Sequence, residues 1–340
     1  MTGSTHADPG AADDPPTVTV VVPTRDRPTL LDATLRSILA QSGVTIEVVV
    51  VDDGSAVPVT LPTGGSTTAR VRLLRNERSH GVGASRNRGA ALARAPWVAF
   101  CDDDDLWLPD KLAGQVAAAT ASRRRWAYTG AVKFEQGPTL WQVMPPPSPE
   151  QVQSRLATTN LVPAGASNVL VDRELLLEVG GFDASLRHLG DWDLWLRLLE
   201  RGLPACSPGL GVAYRLHPGA MSRTPRGILD ELRLLDTRWR HLRDDEPLDP
   251  GPTHLWIATN DLRSGRRIEA ARSYLRAARH RPGAGLRGLL RTLHPQPPRP
   301  AHVLARPEHR VSRFKNVEQV EVPAPMLRLL EALAGEPGRG

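Results

Sequence analysis

Two apolar runs constrain this chain more than any other feature. They are "TVTVVVP" (Thr17 to Pro23) and "IEVVVVDDGS" (from Ile46). Both are β-branched and apolar at successive positions, with no alternation. Side chains along a strand point to opposite faces in turn, so each run is apolar on both faces. Such strands belong in a sheet covered by helices on both sides, which is the setting of parallel strands. "ARVRLLRN" and "WVAFCDDDD" supply a third and a fourth strand. Between the strands, Leu31, Leu35, Ile38 and Leu39 recur at helical spacing, which predicts a helix from about Pro28 to Gln41. "GVGASRNRGAALARA" begins as a glycine-containing turn and becomes an Ala-rich helix. The order β-α-β-β-α-β predicts an α/β fold with a mainly parallel, Rossmann-like sheet flanked by helices.

Further along, Trp141 to Ala166 is Pro-rich and reads as a long loop with a short helix. "SNVLVDRELLLEVGGFD" predicts a short strand and a helix ending at Gly180 and Gly181. "GDWDLWLRLLERG" is a short amphipathic helix, and "VAYRLH" is a last strand. Beyond Thr224 the pattern is helical, including the pair "THLWIATNDLRSG" and "IEAARSYLRAARHRP" joined by a Ser-Gly turn. That pair matches one helical-repeat unit, and a single copy makes no solenoid. Four segments are therefore expected: a disordered N-terminus at 1–16, an α/β domain at 17–223, a helical extension at 224–292, and a Pro/Arg-rich linker with a short helix near Pro325 to Ala334 at 293–340.

With 340 residues and 40% hydrophobic content, the chain can bury a substantial core. Its first residues are polar and Pro-rich and lack the basic-then-apolar pattern of a secretory signal. No apolar run approaches the roughly 18 residues that cross a bilayer. Cys101 and Cys206 have no metal-ligand spacing and make no disulfide framework, which predicts a reducing, cytoplasmic setting. The net charge of +6 is unevenly spread: from Arg263 to Lys315 the only acids are Glu269 and Glu308. A solvated Arg-rich helical surface is the plainer account of this region. Peripheral contact with the inner face of a membrane, or with an acidic protein, is the other. Nucleic acid is not expected, because no aromatic residues are interleaved for base stacking.

The chemistry gathers at strand ends. "PTRDR", "VDDGS" and "CDDDD" all follow strands, and parallel sheets bind ligands at the carboxyl ends of their strands. A solvated loop does not account for Asp102, Asp103, Asp104 and Asp105 standing directly after a buried strand. An EF-hand loop fails, since the sixth and twelfth positions from Asp102 are Trp107 and Ala113. Carboxylates at i and i+2 beyond a strand point the same way, so Asp102 and Asp104 are expected to share one site. Mg2+ or Mn2+, held by one or two carboxylates plus substrate phosphates, suits that arrangement. Asp53 in "VVVVDDGS" either caps a turn at Gly54 or accepts from an imide N–H such as that of uracil or thymine. Gly81, Gly83 and Gly89 miss the dinucleotide-binding spacing, and Arg86 among them could pair with a phosphate.

In order and spacing, "VVVPTRDRPTLLDATLRSILAQS", "EVVVVDDGS", "GVGASRNRGAALARAPWVAFCDDDDLWLPDKL", "GGFD" and "GDWDLWLRL" resemble glycosyltransferase family 2 over about Thr17 to Ser222. The resemblance implies a GT-A fold and an inverting, metal-assisted enzyme. Such an enzyme moves a sugar from a nucleoside-diphosphate donor, here UDP or dTDP by preference, to a glycan, lipid-linked or small-molecule acceptor. It implies that Pro23, Thr24 and Arg25 line the nucleotide pocket, that Asp53 reads the base and that Arg86 lies near the nucleotide. Asp102 and Asp104 look like the family's DxD pair, with Asp104 the metal ligand and Asp102 nearer the ribose. Asp103 is a weaker candidate for either task. Asp191 matches the general base, although Gly190 stands where relatives often carry an acid, and His217 falls where many relatives have a histidine by the metal. Asp105 is expected to cap the helix near Pro109. Trp195 is expected in the core, and Trp192 either desolvates the base or stacks on a sugar. The alternatives are a nucleotide-sugar nucleotidyltransferase, which lacks support in the "PTRDRP" that replaces its glycine-rich loop, and a non-catalytic nucleotide-sugar-binding protein.

Overall fold

The computed structural model describes residues 15–61, 71–134, 140–217, 227–293 and 324–334. The first half follows the expected order: β1 (Val18–Thr24), α1 (Pro28–Leu39), β2 (Ile46–Asp52), β3 (Val71–Arg75), α2 (Val82–Ala90) and β4 (Trp97–Phe100). β5 (Leu106–Trp107), α3 (Lys111–Ser122), β6 (Trp126–Phe134), β7 (Leu140–Met144), α4 (Pro149–Arg155) and a 3-10 turn at Gly165–Asn168 come next. β8 (Leu170–Asp172), α5 (Arg173–Glu178), α6 (Gly190–Leu199) and β9 (Ala205–Arg215) complete the sheet region. The helices α7 (Ile228–Trp239), α8 (Gly251–Arg263), α9 (Arg267–Ala278), α10 (Pro282–Leu293) and α11 (Ala324–Ala334) follow. The N-terminus expected to be disordered and most of the Pro/Arg-rich linker lie outside the described residues.

The strand order is β3-β2-β1-β4-β8-β6-β9-β5, with β7 on β6. β3, β2, β1 and β4 are parallel neighbours, as the sequence predicts. The other half is mixed: β8 is antiparallel to β4 and β6, β9 is parallel to β6, and β5 is antiparallel to β9. The parallel expectation thus holds for half the sheet.

The unbroken apolar runs do what their pattern requires. Val18, Val20, Val22, Ile46, Val48 and Val50 face one way, into a cluster with Leu31, Leu35 and Ile38 of α1. Val21, Val49 and Val51 face the other way, into a cluster with Phe100, Ala90 of α2 and the tryptophans of α6. Both faces are sealed, so no polar side chain could replace these valines without losing its water.

Two elements stand apart from the sequence reading. β6, "WAYTGAVKF", was passed over, yet it pairs with β7, β8 and β9. Gly130 looks like a strand breaker in the sequence, but here it permits close packing. A Cβ on it would come within 2.5 Å of the Gly209 carbonyl, where the pairing with β9 shifts register. The second is α7. The expected boundary near 223 assigns it to an extension, whereas Leu232, Leu235 and Trp239 enter the same core cluster as Trp195. Glu231 accepts backbone N–H groups from Arg187, His188 and Leu189 at 2.8–3.0 Å, which fixes the approach to α6. Arg238 bridges Asp183 and Asp193. α7 is therefore part of the α/β body.

α2 lies close to the sheet because of Gly89. A Cβ there would overlap the Val21 side chain and stand 3.2 Å from Val51. Both valines are fully buried and cannot yield. Gly89→Ala is expected to lower stability by about 1–3 kcal/mol through overpacking, read as a reduced midpoint in urea unfolding with unchanged slope.

Candidate active site

The carboxyl ends of β1, β2 and β4 meet as expected, but the acidic run is not an extension of β4. The strand stops at Phe100, and Asp105 N donates to Asp102 O at 3.2 Å, closing a turn. Alternation of side chains is lost at that point. Asp103 and Asp104, rather than Asp102 and Asp104, share a partner. Arg27 Nη1 donates to Asp103 Oδ1 at 3.0 Å and to Asp104 Oδ2 at 2.9 Å. Thr24 Oγ1, at the end of β1, donates to Asp103 Oδ2 at 2.7 Å. Burial first, and then the charge of Asp104, push the Asp103 carboxyl up to about 6, against the pull of Arg27 and Thr24. Asp102 turns away and forms an ion pair with Arg86.

Asp105 does not cap α3. The N-cap residue is Asp110, with no side-chain cap. Asp105 is fully buried. It accepts the Arg215 N–H of β9 at 3.0 Å through Oδ1, and its Oδ2 has no partner among the described residues. Burial, followed by the charges of Asp104 and Asp102, holds its pKa well above the usual aspartate value. Its task is to anchor β9 beside the acid turn.

His217, just past β9, reaches Asp104: His217 Nε2 and Asp104 Oδ2 are 2.8 Å apart. An imidazole and a carboxylate oxygen so close suit Mn2+ or Mg2+ if donor phosphates and water complete the shell. No group of three or more His, Cys, Asp or Glu among the described residues is placed to hold an ion. Asp104 and His217 are the donors that a cation shared with a substrate would use, although Asp104 Oδ2 also accepts from Arg27. Asp102, expected as a second ligand, is engaged by Arg86.

Asp191 lies in the first turn of α6, partly buried. Trp192 N donates to its Oδ1 at 2.7 Å, and Asn160 Nδ2 lies 3.3 Å from its Oδ2. Its pKa is raised, chiefly by burial. The Trp192 N–H, the Arg86 charge and Asn160 oppose the rise, and the Asp102 charge adds to it. Arg86 thus stands between two carboxylates, with its guanidinium 4.9 Å over the Phe182 ring. The loop before β8 packs closely on Asp191: Ala164 and Gly165 are both left-handed, and a Cβ on Gly165 would come within 2.9 Å of Asp191 Oδ2. Trp192 is not free to stack on a sugar, since it is buried and its Nε1 donates to Leu156 O at 2.7 Å. Trp195 lies in the core, stacked on Trp126.

Asp53 is saturated by the chain itself. It accepts from Asn76 Nδ2 (2.7 Å), Ser79 Oγ (2.6 Å), His80 N (2.9 Å) and Gly81 N (2.9 Å). These donors outweigh its burial and hold its pKa down at about 2. It therefore ties the 76–81 loop to the end of β2. An open pocket beside this loop is lined by Arg75, Asn76, Arg78, His80 and Arg88. Pro23 is buried in β1, opposite Val51. Arg25 is exposed and reaches Asp26 instead of the acid turn. Arg27 joins the site although the sequence points to Arg25; its place in "PTRDRP", two residues beyond Arg25, is the available signal. Asn160, which lies in a stretch read as loop, joins it as well.

Comparison with known proteins agrees with this architecture. Residues 19–180 match the sequence model described as Glycosyl transferase family 2. An uncharacterized glycosyltransferase of Haemophilus influenzae is 28% identical over 193 residues, covering 56% of this chain and 64% of that protein. The UDP-Glc:alpha-D-GlcNAc-diphosphoundecaprenol beta-1,3-glucosyltransferase WfgD of Escherichia coli is 25% identical over 207 residues, covering 60% of this chain and 79% of that protein. S. aureus TarS 1–349, in complex with UDP-GlcNAc, superposes with a TM-score of 0.52 at 16% identity, covering 78% of this chain and 81% of that one. The fold is that of a GT-A glycosyltransferase. Residues 19–180 are thus similar to glycosyltransferase family 2, and the chain spans just under two thirds of the length of the Haemophilus relative.

Asp53→Asn removes the charge that the four donors point at. It is expected to cost about 1–3 kcal/mol of stability at neutral pH. With a folded pKa near 2 and an ordinary value of 3.8, the wild-type advantage is present above pH 4 and fades as pH falls toward 2. Denaturant unfolding of both proteins across that range checks this, and a constant difference between them would contradict it.

Proposed function

We propose that the protein is an inverting glycosyltransferase. It moves a sugar from a nucleoside-diphosphate donor, UDP or dTDP by preference, to a hydroxyl of a lipid-linked glycan. The observation that carries the reading is Asp191: a partly buried carboxylate with a raised pKa, against the left-handed turn at Gly165 and within electrostatic reach of the Arg86–Asp102 pair. The uridine preference draws support from the UDP donors named for WfgD and TarS, and the lipid-linked acceptor from the diphosphoundecaprenol named for WfgD.

In this reading the acceptor hydroxyl gives its proton to Asp191 as its oxygen bonds to the anomeric carbon. The bond from that carbon to the diphosphate breaks, and its electron pair leaves with the diphosphate. Attack from the face opposite the leaving group inverts the configuration. Arg86 is proposed to set the charge on Asp191 and to face the donor. Thr24, Pro23 and Arg25 form the floor and rim of the donor site, and Asp53 acts on the base through the loop it fixes. Asp103 and Asp104 hold Arg27 close to the diphosphate. Asp104 and His217 would hold Mn2+ or Mg2+, which when bound offsets charge building on the leaving diphosphate.

The test is donor turnover with manganese, using UDP-glucose, UDP-GlcNAc and dTDP-glucose, read as diphosphate release with and without acceptor. Asp191→Asn is expected to keep the donor-induced rise in melting temperature and to lose about 10²–10⁴ in transfer rate. Retained transfer would remove Asp191 from its role. Because its pKa is raised, the acidic limb of the wild-type kcat/KM profile should lie above the ordinary aspartate value of 3.8, with rate increasing as pH rises through it. A limb at or below 3.8 would contradict the assignment.

A further inference from the structure

α10 turns three of its four leucines outward, while Leu289 is partly buried against the cluster of Ala258, Ala270 and Tyr274. A helix on a soluble surface ordinarily buries its large apolar residues and exposes its small or polar ones. Here the buried residues are Gly285, Gly288 and Thr292, while Leu286, Leu290 and Leu293 are 53%, 60% and 70% exposed. The orientation is locked. A Cβ on Gly285 would come within 2.7 Å of three atoms of Ala278, and one on Gly288 would overlap the Tyr274 ring. Only the glycine face can approach α9 this closely, so the leucines cannot rotate inward. Their spacing of i, i+4 and i+7 places them on one stripe. Arg287 and Arg291 stand beside the stripe, both exposed.

α9 repeats the arrangement. It buries Ala270, Ser273, Tyr274 and Ala277, and its outward face carries Ile268, Arg272, Leu275 and Arg279. Leu275 is 52% and Ile268 is 67% exposed. Between residues 263 and 293 there are nine arginines and one acidic residue, Glu269. Arg266 pairs with Asp261 and Arg281 with Asp249, both acids outside the segment, and the outward face keeps a basic excess. Leucines flanked by arginines on an outward helix face are the composition that lies in the plane of an anionic bilayer. The leucines enter the headgroup boundary and the arginines meet lipid phosphates. No helix among the described residues is long and apolar enough to cross a membrane, so this contact is peripheral.

We propose that the outward face of α9 and α10 is a docking surface for an anionic lipid bilayer, with Leu286, Leu290 and Leu293 as the inserted residues and Arg272, Arg279, Arg287 and Arg291 as the electrostatic contacts. The surface would hold the transferase at the membrane that carries its lipid-linked acceptor. The purpose, though not the binding, rests on the function proposed above.

The test is flotation of the full chain with vesicles of phosphatidylglycerol and phosphatidylcholine in equal parts, against pure phosphatidylcholine vesicles, at low and high salt. No donor or acceptor is present, so the outcome is independent of transferase activity. Binding is expected to the anionic vesicles and to weaken in high salt. The triple variant Leu286→Ser, Leu290→Ser, Leu293→Ser is expected to lose at least about tenfold in partitioning. Arg287→Glu with Arg291→Glu, which leaves the leucines in place, should also weaken binding. Melting curves of both variants report whether the bundle still folds. Failure to float with anionic vesicles overturns the proposal, as does equal binding by the folded leucine variant. A dimer in solution that the leucine substitutions dissociate would also overturn it, by assigning the face to a second copy of the chain.

Discussion

The site depends on one electrostatic problem: four aspartates in succession at the mouth of a dry sheet. Packed carboxylates repel strongly where water is scarce, and the fold answers by giving every one of them a donor, with Arg27 shared by two. Asp102 goes to Arg86 on α2, Asp103 to Thr24 and Arg27, Asp104 to Arg27 and His217, and Asp105 to the backbone of β9. These partners come from three separate stretches of chain, 24–27, 86 and 215–217. Separating the carboxylates is therefore also what draws β1, α2, β4 and β9 into one crevice.

Much of the sheet was legible because burial on both faces leaves an unmistakable mark. Valine at consecutive positions has few explanations other than a covered strand, and β1, β2 and β4 lie where those runs predict. The mixed half of the sheet was less legible. β6 carries Gly130, whose close contact with β9 appears only when the two strands are side by side. α7 shows a related limit. Its residues look like any amphipathic helix, and the fact that Trp239 Nε1 reaches Asp193 is a matter of tertiary position.

The site shows the same division. Residue types at strand ends identified the crevice, and Asp191 could be named from its motif. Side-chain direction could not be read, because the argument from i and i+2 assumed an extended backbone where the chain turns. That one local difference exchanged the partners of Asp102 and Asp103. Asp53 illustrates a second limit: a carboxylate that seems free to read a base in sequence is, in three dimensions, surrounded by donors from residues 76–81.

The turn at 102–105 has a consequence for how the chain's charge is counted. Each aspartate contributes a full negative charge to the formal total of +6. Yet Asp103 titrates at about 6, and Asp105 binds its proton more tightly than an ordinary aspartate. In mildly acidic solution the crevice is consequently less negative than its spelling, and the whole molecule more basic. Near the isoelectric point of about 10.0 the Asp103 carboxyl is ionised again, so its effect on the charge is confined to mildly acidic solution.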